Sequence, residues 1–541
     1  MKILIENMIV RKKILQRYSL LIPVCMTLAF YGCSNKDNNS SVSDATQVQQ
    51  QPQQQESGRQ ALRFETFGNE GFWTDAVKLP QGIVANNVTP VQALQLGLSV
   101  NLQALDADTI AAVAAEIAAQ GTSGPILNDP ATTIKLINAN AVIGVVVKDT
   151  NRDGKLDVAS GDKVGVSCVL CHAITDGSAL NVAGGGSIGA EIDGPAVHNI
   201  QVGKIFSIAQ NTKALYPMAQ LKGVDGTSIG RAAEGLTKNS TEAEFDAYFG
   251  NPTTYPVGMF DDTVDGNGNP MHNTPLFRQD LAAPFGSAGE LATFQQFGNT
   301  VFTVLLDPTN LLSPGGRAFL HKVAGANGDK LAADYQEVLA MTGVTNYPFT
   351  TISRYGEPAT PDTLIGIGVD LDTLNKMTAY VNSLHSPLGI KVDTASIDRG
   401  RDIFTATSSQ CLTCHNASQA EAVRPDIIPM AVIFPGDNPD VLAQRDPPLS
   451  PVLNTPGNTF DDKMIVINAS LRGLVRGSAL PLLMDLARKP VFLHDNSVGF
   501  LEGLFDPGRG AIAPHPFYIS NSADRDDLAT YLRSLDDTST I

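Results

Sequence analysis

Two stretches of this 541-residue chain place chemically competent residues at a fixed spacing: Cys168-Val169-Leu170-Cys171-His172 and Cys411-Leu412-Thr413-Cys414-His415. Two cysteines separated by two residues and followed at once by histidine form the pattern that attaches a c-type haem. On one helical turn both sulfurs reach the two vinyl groups of a single porphyrin, and the adjacent imidazole lies over the iron as an axial ligand. A thioredoxin-like redox pair or half of a zinc site shares the Cys-x-x-Cys spacing, but zinc needs a matching ligand pair, and the other cysteines are Cys25 and Cys33. The reading is two covalent haem c groups, attached at Cys168, Cys171, Cys411 and Cys414, with His172 and His415 as iron ligands.

Covalent haem is installed outside the cytoplasm, and the N-terminus reads accordingly. Arg11, Lys12, Lys13 and Arg17 form a basic region ahead of the apolar run from Leu20 to Phe30, which is short for a stable transmembrane helix. The stretch Ala29-Phe30-Tyr31-Gly32-Cys33-Ser34 resembles a bacterial lipoprotein signal, so residues 1–33 read as a signal peptide with Cys33 as the lipidated residue, plain secretion being the other reading. Residues 34–60 are rich in Ser, Asn, Asp and Gln and read as a disordered tether, since such a composition buries too little apolar surface to offset chain entropy. The expected location is the periplasmic side of a bacterial membrane, anchored by lipid to the outer membrane.

The folded remainder has ample apolar material, with 43% hydrophobic and 17% charged residues. A net charge of −17 argues against nucleic acid as a partner and suits solubility, or docking of a basic redox partner. Residues 61–139 read as a helical N-terminal segment, with helices predicted near 90–98 and 106–117. Ala141 to Val147 reads as a strand running into Asp149-Thr150-Asn151-Arg152-Asp153-Gly154-Lys155-Leu156-Asp157. That run fits nine positions of a calcium loop, with Asp149, Asn151, Asp153, the Lys155 carbonyl and Asp157 as oxygen donors. Position 12 is Ser160 rather than glutamate, with Asp162 two residues on, so a calcium site and a turn that binds nothing both stand. The glycine-rich passage Gly184-Gly185-Gly186-Ser187 through His198 reads as a loop folded over a haem edge.

An internal repeat organises the rest. Met377-Thr378-Ala379-Tyr380-Val381-Asn382-Ser383-Leu384 matches Leu528-Ala529-Thr530-Tyr531-Leu532-Arg533-Ser534-Leu535, each predicted as a helix closing a unit. A second parallel joins Asn273-Thr274-Pro275-Leu276-Phe277-Arg278 and Ala283-Pro284-Phe285-Gly286-Ser287 to Ser470-Leu471-Arg472-Gly473 and Pro490-Val491-Phe492-Leu493-His494. Two cytochrome c-like haem units follow, 140–387 and 395–541, with a boundary at Ser386-Pro387-Leu388-Gly389. Ile397-Asp398-Arg399-Gly400-Arg401-Asp402-Ile403-Phe404 opens the second unit and resembles the N-terminal helix of class I cytochromes c. In the first unit the calcium-like loop stands where that helix is expected.

The arrangement resembles the dihaem cytochrome c superfamily that includes bacterial cytochrome c peroxidases, MauG-like enzymes and rubber oxygenases. The likeness rests on the two haem motifs, the paired terminal helices and Phe492-Leu493-His494-Asp495-Asn496-Ser497-Val498 with Leu501-Glu502. It implies a mainly α fold of two haem-binding units with extended loops, one haem relaying electrons and the other often open on one face to peroxide or oxygen. Two features depart from the peroxidases: Phe285-Gly286-Ser287-Ala288-Gly289 stands where they carry Trp-Asp-Gly-Arg, and no methionine follows Met484. For the second haem His494 is the leading sixth ligand, ahead of Met430, Met464 and Met484, while His515 reads as an exposed loop residue. For the first haem the favoured distal ligand is His198, then His272, with Met218, Met259 and Met271 behind. His321 and His385 read as ordinary surface or core residues.

The expected function is electron transfer through two haems, with two low-spin, six-coordinate irons and redox proteins as partners. The alternative is a haem-dependent peroxidase or oxygenase whose reactive haem sits on His172 and whose relay haem sits on His415. In that case Asp193, Glu191 and Arg231 lie in the right stretch to supply acid–base groups.

Overall fold

The computed structural model describes residues 55–227, 234–261, 264–266, 268, 270–286, 291–351, 368–416, 427–429, 477–493, 498–510 and 515–539. Helix dominates, and the strands are short and gathered into one three-stranded and several two-stranded sheets.

The second unit opens with the helix Thr394–Thr405, whose first turn is capped by Asp393 accepting from the Ser396 amide. It closes with the helix Ser522–Arg533, capped by Asn521. The two cross at Gly400, where a Cβ would collide with the Asp527 carbonyl oxygen and the Tyr531 Cβ, so only glycine allows the backbones to approach this closely. Four residues on, Phe404 is buried against the Tyr531 ring, with centroids 5.5 Å apart.

The first unit repeats this crossing with residues that sequence reading placed in the tether and the N-terminal segment. Residues 55–64 are helical. A Cβ on Gly58 would collide with the Lys376 carbonyl oxygen and the Tyr380 Cβ of the closing helix Leu371–Ser383, the same positions relative to tyrosine as Asp527 and Tyr531. Leu62, four residues after Gly58, is fully buried as Phe404 is. Burying such a side chain contributes about 1.5–3 kcal/mol. The helix expected but not found near residue 140 therefore lies at 55–64: the tether gives way to helix by residue 55, and the first unit begins there. The calcium-like loop does not replace the helix; it belongs to what is inserted after it.

That insertion has its own core. Leu94, Val100, Val113, Leu127, Leu136, Val142, Val164 and Ile188 pack together apart from the main cluster. Leu94, Val113 and Leu136 come from the helices Pro90–Gln95, Ala107–Gln120 and Pro130–Asn138, the first capped at its N-terminus by a Thr89/Gln92 capping box and the second by Asp106, and the rest from short strands and turns. The antiparallel pair Val145–Lys148 and Lys163–Val166 then carries the chain back to the first motif. Gly184-Gly185-Gly186 packs on this insertion, the Gly186 amide donating to the Leu94 carbonyl at 2.7 Å, so that half of the glycine-rich passage is not a loop over the motif.

The second parallel in the sequence is also structural. Phe285 bridges Leu291 and Phe492 bridges Val498, each antiparallel across the same span, and a helix starts nine residues after each phenylalanine, at Phe294 and Leu501. The cis Ala283-Pro284 bond precedes the first bridge. The boundary segment is fastened to the end of the second unit: the Gly389 amide donates to Asp536, the Ile390 amide to the Arg533 carbonyl, and Ser386 and His385 bond Asp537.

Candidate haem sites

The first motif is a single turn, Val169–His172, at the end of the strand Lys163–Val166. Its position is set from several directions. Asn69 mimics a strand partner, its side chain donating to the Val166 carbonyl and accepting from the Val166 amide. The Ser167 hydroxyl donates to the carbonyl of Arg63 near the end of helix 55–64. Gly144, at φ +78°, passes so close to Leu170 that no side chain fits there. Val169 is buried in the main core and Cys168 packs against it, while Cys171 and His172 are half-buried.

His172 is held at both ends. Its backbone carbonyl accepts from the Gly194 amide at 2.8 Å, and its Nδ1 lies 2.7 Å from the Thr274 carbonyl oxygen. A carbonyl can only accept, so Nδ1 carries the proton and Nε2 keeps its lone pair, the tautomer a metal requires. Cys168, Cys171 and His172 are half-buried, yet burial pushes both thiols up to about 12 and the imidazole down to about 4. Free thiols beside a neutral imidazole with an available lone pair are the donor set that covalent haem needs, so these residues fit the group.

The second motif begins in a short turn, Cys411–Thr413, separated from the helix Thr394–Thr405 by residues 406–410. Cys411 and Leu412 pack on the second unit's core, and Cys411, Cys414 and His415 are half-buried. Burial raises the Cys411 thiol and pushes the His415 imidazole down to about 4. The stretch ending at Arg472, which matches the Thr274 region, lies outside the described residues. These residues likewise fit a covalent haem.

The remaining expectations divide. His515 is not a free loop residue: its ring stands 6.5 Å from that of His415, centre to centre, and is packed by Phe505 and Phe517. Burial, helped by the charges of His415 and Arg509, pushes it down to about 3. Met218 and Met259 are fully enclosed in protein, and Met484 is buried against Phe277 and Leu281 of the first unit. Met271 is also buried, in the strand Pro270–His272. His198 and His272 are half-buried, and a lysine that sequence reading passed over joins them. Lys489 Nζ is 3.0 Å from His272 Nε2; burial pushes the amine down to about 8, while burial and the charges of Lys489 and Arg488 push His198 down to about 3. His321 pairs with Asp329 on the surface. Cys33, Arg231, Met430, Met464 and His494 lie outside the described residues.

Asp193 and Glu191 are tied into a structural network. Arg63 Nε donates to both Asp193 carboxylate oxygens at 3.0 and 2.9 Å, and its Nη1 is 3.1 Å from Glu191. Tyr380 donates to Asp193 at 2.7 Å, and Asn101 to Glu191 at 2.8 Å. Burial raises Glu191, eased by Arg63 and reinforced by the neighbouring Asp193 charge. The network binds the opening helix, the strand Glu191–Asp193 paired with Ala173–Thr175, and the closing helix behind the first motif.

In the calcium-like loop the carboxylates turn inward to amides. Asp149 accepts from Asp153 and Gly154, Asp153 from Lys155, and Asp162 from Thr150, Asn151 and Asp157. Asn151 accepts from Asp153, and Asp157 caps the turn Val158–Ser160. Among the described residues no three carboxylate, histidine or cysteine side chains converge as a metal site, and no helix is long and apolar enough to cross a membrane.

No protein-family model matches the chain, and no curated protein matches it. Among solved structures, hydrazine synthase of Kuenenia stuttgartiensis, pressurised with xenon, is similar at 14% identity and a TM-score of 0.29, over 60% of this chain and 86% of that one. The likeness is too slight to place the chain in a family.

Proposed function

We propose that this chain is an exported c-type cytochrome that holds two covalent haems and passes single electrons between redox partners. The observation that carries the reading is the first motif, where two half-buried thiols flank an imidazole whose Nδ1 is bound to the Thr274 carbonyl and whose Nε2 is left to ligate. Bound haem supplies a one-electron iron couple. The chain's own residues do the rest: Cys168, Cys171, Cys411 and Cys414 fix each porphyrin, His172 and His415 ligate, and burial around them keeps water away and shifts the potential. The acidic surface offers basic partners a docking face, and Cys33 supplies a lipid anchor to the outer membrane.

Asp193 and Glu191 are engaged in the Arg63 network, which supports electron transfer over peroxide chemistry. The test is the protein produced in a host with c-type maturation, its haem counted by pyridine haemochrome. Two covalent haems are expected, one after C168A/C171A and one after C411A/C414A. A folded, exported protein without covalent haem overturns the reading, and steady peroxide turnover with a reduced dye replaces it with the enzymatic one.

A further inference from the structure

We infer that His515 is the second axial ligand of the iron held by His415. This rests on the cytochrome reading above and names a residue that the sequence had assigned to a surface loop. The two imidazole centres are 6.5 Å apart, with their planes inclined at 48°. Metal–imidazole nitrogen bonds of about 2 Å put the centres of two rings on opposite faces of one ion roughly 6 Å apart. The observed spacing is too wide for ring stacking and suits one ion between two nitrogens.

Three further observations point the same way. His515 Nδ1 is buried with no hydrogen-bond partner among the described residues, which leaves that nitrogen unengaged by the protein around it. The residue sits at φ +57°, in the left-handed region that few side-chain-bearing residues adopt, which fixes the direction in which its ring leaves the backbone. Its ring is wedged between Phe505 and Phe517, at 6.2 and 5.3 Å between centres, and the Phe517 amide donates back to the His515 carbonyl, so the side chain is aimed before any ligand arrives. Met484, an alternative donor, is buried against the first unit instead.

The experiment compares oxidised wild type, H515A, H515M and H494A by electron paramagnetic resonance and ultraviolet–visible spectroscopy, with covalent haem counted in each. The expected result is two haems per chain throughout, low-spin at the His415 iron in wild type and H494A. In H515A one haem of the two becomes high-spin and returns to low-spin on adding imidazole. H515M, which keeps a donor and guards against misfolding, shows a changed low-spin spectrum for the same haem. The assignment is overturned if H515A keeps two haems and the wild-type spectrum, or if H494A is the variant that turns high-spin. A wild-type protein lacking covalent haem overturns the cytochrome reading itself, and the two failures are told apart by the haem count.

Discussion

The two units that carry the Cys-x-x-Cys-His motifs use the same frame and fill it differently. In each, an opening helix crosses a closing helix at a glycine, Gly58 over Tyr380 and Gly400 over Tyr531, and a phenylalanine bridge precedes a short helix nine residues on. Between opening helix and motif, however, the second unit has only residues 406–410, whereas the first has 65–167 with a separate hydrophobic core. Such an insertion is tolerated because the entropic cost of closing a loop grows only with the logarithm of its length, and this one offsets that cost with its own buried surface. The crossing is thus the invariant of the unit.

The fastenings differ as well. The first unit is tied by Arg63, Asp193, Glu191 and Tyr380 in the interior, while the second uses Arg399 with Asp527 at the surface, where the guanidinium is 59% exposed. An exposed ion pair contributes little, whereas removing one member of a buried set leaves its partners unsatisfied.

The sharpest way to break the comparison is at the crossings. G58A and G400A are each expected to cost about 1–3 kcal/mol, because a methyl group must be forced between two backbones. Denaturant melts of the holoprotein read this, and an unaffected G58A beside a destabilised G400A would mean that helix 55–64 is no counterpart of Thr394–Thr405. A smaller difference separates the matched tyrosines. Y380F removes a donor from buried Asp193 and is expected to cost about 1–2 kcal/mol. Y531F is expected to stay within about 0.5 kcal/mol, since its hydroxyl has no hydrogen-bond partner among the described residues. Equal costs in the same melts would erase the contrast between interior and surface fastening.

The smallest effect concerns the junction between the units. Burial alone would raise the Asp536 carboxyl, but hydrogen bonds from Thr538, the Gly389 amide and Lys391 outweigh it and hold it well below the usual carboxylate range. The folded value lies below the unfolded one of about 3.9. Its stabilisation is therefore complete above that pH and is lost as pH falls toward the folded value. Hydrogen-exchange protection of the Gly389 amide should drop on acidification in wild type and be low and flat in D536N; a flat wild-type profile would sever the junction from this carboxylate.

Much of this was legible in the chain itself where the information is local. Cys-x-x-Cys-His spacing is a property of one turn, the closing helices show their apolar faces at Met377 and Val381 as at Leu528 and Leu532, and Asp106 and Thr89 announce helix starts. The carbonyl of Thr274 under His172, the lysine from 489 beside His272 and the approach of His515 to His415 join residues 100 or more positions apart. No local pattern distinguishes such partners. The opening helix at 55–64 was hidden for a related reason: glutamine and serine around Gly58 read as tether, and only the fit of that glycine onto Tyr380 reveals a helix stabilised by packing more than by its own composition. Spacing along the chain determined where the two Cys-x-x-Cys-His turns lie, and packing decided which side chains surround them.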